Sequence, residues 1–405
     1  MDSPSVKAPA GETVQSGLAG KTVLQIVPAL DAGGAERTTV DVAAALVAAG
    51  ARALVVSSGG RLVAEVEAAG AEFIPFPAAT KNPARILINA ERLRRLALRE
   101  NVALLHARSR APAWSAFLAA RRAGLPFVTT YHGAYKPGGP LKTWYNSVMA
   151  RGDAVIANSQ FTARRIEANH PVSRGRITVI YRGTDLAKFD ADVVASERIA
   201  ALRATWGVPE GRRIVLLAAR LTGWKGQAVL IDAAARLVSD ELDDVDFVLA
   251  GDAQGRTDYV ADLKARIDRH GLANRVRIVG HCADMPAADA AASVVTVPST
   301  QPEAFGRSAV EAQALGVPVV VSDLGAVPET VLAPPDVAPD KRTGWRVPAA
   351  DADALADALK EALTLTPQTR AAMAGRARAH VHAHFSLAAM TDATLALYRR
   401  LLEPG

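Results

Sequence analysis

Short apolar runs rich in valine, leucine and isoleucine alternate along the chain with alanine- and leucine-rich stretches of helical period. Residues 23–28, 53–57, 103–106, 127–131 and 154–158 read as buried parallel strands, with helices between them at 35–49 and 83–99. The alternation restarts at 213–218 and continues through 246–250, 276–279, 294–297 and 319–322. This pattern predicts two α/β units, each built on a mostly parallel sheet. The expected division is a disordered extension over 1–20, a first unit over 21–190 and a linker over 191–212. A second unit then covers 213–384, and a terminal segment 385–405. Loops that follow the C-terminal ends of parallel strands gather between two such units, so the cleft is the expected ligand site.

Length and composition agree with this division. A chain of 405 residues, half of them apolar, exceeds one ordinary core and is globular. Its one cysteine, Cys282, excludes an internal disulfide and fits a reducing cytoplasm. The N-terminal residues lack a basic start followed by an apolar stretch, which argues against a signal peptide. The longest apolar stretch, 42–51, falls well short of the roughly 20 residues of a membrane span.

Charge is uneven. Residues 1–190 hold 24 Lys and Arg against 14 Asp and Glu, a balance of +10, whereas the remainder holds 23 against 27, a balance of −4. An anionic partner is therefore expected at the first unit only. On the predicted helix Pro83–Arg99, Arg85, Arg92, Arg95 and Arg99 share roughly one face and Ile86, Ala90, Leu93 and Ala97 another. That pattern suits a helix lying on an anionic membrane surface, or a basic solvent face on an ordinary packed helix. Aromatic residues make up only 5% of the chain and form no stacking platform with basic ones, which disfavours single-stranded nucleic acid.

The densest chemistry lies in residues 302–318. Glu303 sits in a loop opening at Pro302, and Glu311 in a small-residue helical run ending at Gly316. Gly306 between them permits close backbone approach, and the new helix offers unpaired N–H groups to a diphosphate. An acid on either side suits sugar or ribose hydroxyls, although two unrelated surface acids would show the same spacing. Arg220 and Lys225 flank Gly223 in the loop after the first strand of the second unit, where both can reach one diphosphate. His132, in Thr130-Tyr131-His132-Gly133, follows a strand and either faces the cleft or is an idle loop histidine. Gly33 and Gly34 open a helix, either to admit a ligand or to make a tight turn. His106, Arg108 and Arg110 end another strand near the same rim.

Other chemistries find little support. The turn Asp31 to Glu36 lacks the glycine spacing of a dinucleotide site, and no acid follows the second strand to hold a ribose. His380, His382 and His384 lack partnered Cys or acid ligands, so no metal site is expected there. No nucleophile-elbow motif is present.

Together, Glu303 with Glu311, Arg220 with Lys225-Gly226, the Gly33-Gly34 loop and Thr130-Tyr131-His132-Gly133 resemble the retaining glycosyltransferases of group 1, family 4. The similarity runs from Lys21 onward and takes in Ala250-Gly251-Asp252, Val279-Gly280-His281 and Thr343-Gly344-Trp345. It implies the α/β GT-B fold, two facing Rossmann-like domains with a C-terminal helix that crosses back to the first. It also implies a nucleotide-sugar co-substrate and neither cofactor nor metal. By motif, Arg220 and Lys225 would bind the diphosphate, Glu311 the ribose, Glu303 the sugar hydroxyls, and His132 the sugar from the opposite domain. Gly33, Gly34, Gly251, His281, Phe305, Gly306, Arg307 and Ser308 would complete the donor site. A narrower resemblance, through residues 106–114, 303–307 and 322–325, is to lipopolysaccharide-core mannosyltransferases. It implies GDP-mannose, an anionic lipid-linked acceptor held by His106, Arg108 and Arg110, and a peripheral position on the cytoplasmic face of the inner membrane. The alternatives are a UDP-sugar-dependent transferase and a nucleotide-sugar 2-epimerase.

Overall fold

The computed structural model describes residues 17–31, 34–132, 139–239 and 242–403; Gly33 and the first sixteen residues lie outside them. The first domain carries seven parallel strands: β1 (Thr22–Ile26), β2 (Arg52–Ser57), β3 (Glu72–Pro75), β4 (Val102–Ala107), β5 (Phe127–Tyr131), β6 (Ala154–Ala157) and β7 (Ile177–Val179). Their order is β3-β2-β1-β4-β5-β6-β7. The second domain carries six: β8 (Arg213–Ala218), β9 (Val245–Ala250), β10 (Val276–Gly280), β11 (Val294–Val297), β12 (Val319–Ser322) and β13 (Trp345–Val347), in the order β10-β9-β8-β11-β12-β13. Both orders reverse beside the first strand, at β1/β4 and β8/β11, and such switch points open a crevice for ligands.

Helices cover both faces of each sheet, so the central strands are apolar without alternation: β1, β5 and β9 are buried at every residue. The helix Pro83–Arg99 begins where the Asn82 side chain accepts the Arg85 N–H at 3.2 Å, and it buries Ile86, Ala90, Leu93 and Ala97. That is the apolar face read from the sequence.

Three differences from the expected organisation stand out. Edge strands β3, β7 and β13 have three or four residues each and give too little apolar signal to be read from sequence. Residues 191–212 are no bare linker. They contain the helix Ser196–Thr205, and Trp206 and Val208 are buried in the second domain's core. Residues 17–20 belong to the first domain, because Leu18 is fully buried there and the Gly20 N–H donates to the Gly50 carbonyl.

The chain passes between the domains twice, and the passages are hydrogen-bonded to each other. The Thr184 N–H donates to the Phe385 carbonyl at 2.8 Å, and the Leu387 N–H to the Thr184 carbonyl at 3.0 Å. A Cβ on Gly183 would lie 2.6 Å from the Leu387 backbone, so only glycine allows this approach. The final helix, Leu387–Leu402, then crosses to the first domain and buries Met390, Leu395, Leu397 and Tyr398 in its core.

Candidate functional site

Between the domains lies a cavity of about 530 Å³. Its second-domain wall is built on the switch point. The loop after β8 is pinned by Gly226, at φ +81°, where a Cβ would sit 1.9 Å from the Pro298 carbonyl oxygen. Lys225 leaves this loop, lies over the Trp224 ring at 4.4 Å, and places Nζ 2.6 Å from Glu303 Oε1. The Ser299 hydroxyl donates to the same oxygen at 2.6 Å. Glu303 is itself held through its backbone, since its carbonyl accepts the Ala326 N–H at 2.9 Å. Arg220, exposed, lines the cavity beside them.

Gly306 is the left-handed residue that starts the helix Arg307–Ala314, with φ +87° and no side chain capping the turn. The cavity is lined up to Arg307, so the uncapped start and its partial positive charge face it. Phe305 contributes backbone there; its ring is buried against Phe385 and Tyr181. Ser308 lies behind, its hydroxyl on the Ala218 carbonyl at 3.1 Å.

Glu311 is nearly fully buried one turn into that helix and does not line the cavity. Burial pushes its carboxyl up, while Arg307, whose Nε donates to Oε1 at 2.7 Å, pulls it down. Asp289, behind it, is fully buried with neither oxygen partnered among the described residues. Its carboxyl is pushed well above the usual range by burial and, secondarily, by Glu311.

The first-domain wall is His132, Asn158 and Arg182. Arg182 donates to the His132 carbonyl at 2.8 Å and stands 3.4 Å from ring Nδ1. A Cβ on Gly34 would lie 2.3 Å from its guanidinium, so Gly34 makes room for Arg182. Burial first, then Arg182 and Arg108, hold the His132 imidazole well below its usual range.

Several expected site residues have other work. His106 is fully buried: Nδ1 lies 2.5 Å from the Tyr398 hydroxyl and Nε2 2.7 Å from that of Thr130, so it ties the crossing helix to β4 and β5. Arg108 is 2% exposed, with Nε donating to Gln25 Oε1 at 2.8 Å. Neither is placed to meet an acceptor, because the helix Leu387–Leu402 covers this strand end. Arg110 is half-buried and bonds Asn146 Oδ1 at 3.0 Å. A Cβ on Gly251 would be 1.8 Å from the Ala219 carbonyl oxygen, so this glycine packs two strand-end loops and does not line the cavity. His281 is exposed in a separate hollow beside Trp206. His380 and His384 pack on each other and on Phe385, and no group of three candidate metal ligands occurs among the described residues.

Sequence reading missed Asn158 and Arg182. The first reads from sequence as the end of the strand 154–158. The second carries no local signal in the sequence.

Comparison with known proteins agrees with this architecture. Residues 32–188 match the model for Glycosyltransferase Family 4, and 199–380 that for Glycosyl transferases group 1. D-inositol 3-phosphate glycosyltransferase of Mycobacterium tuberculosis is 33% identical over 302 residues, covering 71% of this chain; the chain spans 59% of that protein's length. A glycosyltransferase structure from Rickettsia africae superposes with a TM-score of 0.87 at 32% identity, covering 95% of this chain and 100% of that one. Anabaena HepE in complex with UDP and glucose gives 0.78 at 27% identity, covering 93% and 98%. Matched in both halves by these models and along nearly its whole length by a glycosyltransferase of the same fold, the chain belongs to the group 1, family 4 glycosyltransferases.

Proposed function

We propose that this protein is a retaining hexosyltransferase that moves a sugar from a nucleotide-sugar donor to an anionic, lipid-linked or envelope glycan. The observation that carries this reading is the cavity wall on which Lys225, Arg220 and the uncapped helix start at Gly306 meet Glu303. As the bond from the anomeric carbon to the phosphate oxygen breaks, negative charge develops on the departing nucleoside diphosphate. Lys225, held beforehand by Glu303, and the helix dipole stabilise that charge together with the more exposed Arg220, so no metal ion is required. Glu303 accepts hydrogen bonds from the sugar hydroxyls, and its contact with Lys225 holds the ammonium beside the diphosphate. With no nucleophile assigned, the acceptor oxygen attacks from the face the diphosphate leaves, and its proton passes to the departing phosphate oxygen.

The donor is GDP-mannose on the motif resemblance in residues 106–114, 303–307 and 322–325. A second reading, UDP-glucose, is favoured by the HepE complexes with UDP, glucose and UDP-glucose. Calorimetry with GDP-mannose, UDP-glucose, UDP-galactose and UDP-GlcNAc separates them. Absence of binding to all four overturns the donor reading, and conversion of a donor to its 2-epimer without acceptor would place the chemistry elsewhere.

The excess positive charge of the first domain supports an acidic acceptor and a peripheral position on the cytoplasmic side of the inner membrane. No helix of the described residues is long and apolar enough to cross a membrane. On the helix Pro83–Arg99, Arg95 and Arg99 pair with Glu91 and Glu100. Arg85 and Arg92 have no ion-pair partner among the described residues and line a hollow of about 480 Å³ with Ser58 and Thr80. Leu87, Ile88 and Leu98 are half exposed on the same helix, so cationic and apolar groups are presented together.

A further inference from the structure

Four buried polar atoms on the first-domain wall of the cleft have no partner among the described residues: Nε2 of His132, Oδ1 and Nδ2 of Asn158, and Nε of Arg182. All three residues line the 530 Å³ cavity, and Asn158 is only 2% exposed. Buried groups of this kind are normally satisfied, and several at one cavity wall mark a place where a ligand supplies the missing bonds.

Their chemistry specifies the ligand group. A carboxamide offers an acceptor and a donor together, and only a group that both donates and accepts satisfies it. A phosphate or carboxylate, which only accepts, would leave Asn158 Oδ1 unmet; a sugar hydroxyl meets both atoms. Arg182 fixes the remaining partner. A guanidinium cannot accept a hydrogen bond, so the approach of Arg182 Nη2 to His132 Nδ1 at 3.4 Å, beside its bond to the His132 carbonyl, favours the tautomer with Nδ1 bare. The ring proton then sits on Nε2, the unpartnered nitrogen.

Resting on the transferase reading above, we infer that His132, Asn158 and Arg182 form a hydroxyl-reading subsite for the transferred sugar, in which Asn158 exchanges hydrogen bonds with one ring hydroxyl and Arg182 is a positioning residue that keeps His132 as an Nε2–H donor. The sugar lies between this wall and Glu303, with its diphosphate toward Lys225.

The test has two arms. Calorimetry on the parent and on Asn158→Ala compares UDP-glucose with UDP, and GDP-mannose with GDP. The variant loses roughly 10-fold in affinity for the sugar nucleotide while holding the bare diphosphate as the parent does, which also shows that it is folded. In a series of deoxyfluoro donors, the penalty at one ring position present in the parent disappears in the variant. An unchanged ratio of sugar-nucleotide to diphosphate affinity overturns the subsite. The second arm needs no donor. With ¹⁵N-labelled histidine, the parent shows His132 protonated at Nε2 alone, and Arg182→Gln shifts it toward the other tautomer while Arg182→Lys restores it. A parent ring protonated at Nδ1, or one unchanged in Arg182→Gln, overturns the positioning role. A parent that binds none of these nucleotides but shows the Nε2–H ring would overturn the donor reading and leave the Arg182–His132 relation standing.

Discussion

Glu329 of the second domain accepts the backbone N–H of Phe161 in the first at 2.6 Å. Its other oxygen takes the Gln160 N–H at 2.7 Å and the Tyr181 hydroxyl at 3.1 Å. Those two N–H groups open the helix Gln160–Asn169, so a carboxylate of one domain caps a helix of the other. The contact spans the cleft, and it exists only while the domains are this close.

Glu329→Ala removes a charge-assisted cap, a contact of about 1–2 kcal/mol. We expect the free protein to open, with a larger radius of gyration in solution scattering and unchanged helix content by circular dichroism. Superimposable scattering curves would show that this contact does not hold the domains together.

In the proposed mechanism Lys225→Ala removes the cation that faces the departing diphosphate. Turnover should fall by roughly 10²-fold or more, the scale of deleting a fixed charge stabiliser. Glu303→Gln keeps the side chain's size but releases Lys225, and should raise the donor KM as well as lower kcat. A rate for Lys225→Ala within a few-fold of the parent contradicts the assignment.

Asp41 supplies a pH dependence. Burial, opposed by Arg37, Arg108 and Arg307, pushes its carboxyl up to about 6. A carboxyl raised above its unfolded value of about 4 binds more protons in the folded state between those values, so its contribution is present at low pH and lost as pH rises through 6. Asp41→Asn should flatten melting temperature against pH between 4 and 6 and stabilise the protein by about 1–2 kcal/mol at pH 7.5, allowing for partial solvent screening. Parallel curves for both proteins would exclude Asp41 as the source.

The arginines of the helix Pro83–Arg99 differ in pairing, and membrane binding should follow pairing. Replacing Arg85 and Arg92 by Ala should weaken cosedimentation with phosphatidylglycerol-containing vesicles by roughly 30-fold, from about 1 kcal/mol per cation. Replacing Arg95 and Arg99, each ion-paired with Glu91 or Glu100, should do much less. Equal losses from both pairs, or none, would make this helix ordinary surface.

What the sequence by itself determined is local and periodic. Two series of apolar runs specified two parallel sheets. The spacing of Lys225 after β8, and of Glu303 and Gly306 after β11, specified a candidate strand-end site, because loops at one end of a parallel sheet must converge. The tertiary structure decided which polar groups remained accessible. His106 and Arg108 end a strand at the expected rim, yet Tyr398, 292 residues from His106, comes down on them and turns candidate ligands into core. Gly251 and Gly34 are conformationally permissive in sequence, but the close approach each allows is to Ala219 and Arg182. Asn158 and Arg182 carry no local signal, since an unpartnered buried group is defined only by what fails to pack against it. Burial depends on all the chain that folds over a residue, and the periodicity around that residue cannot report it.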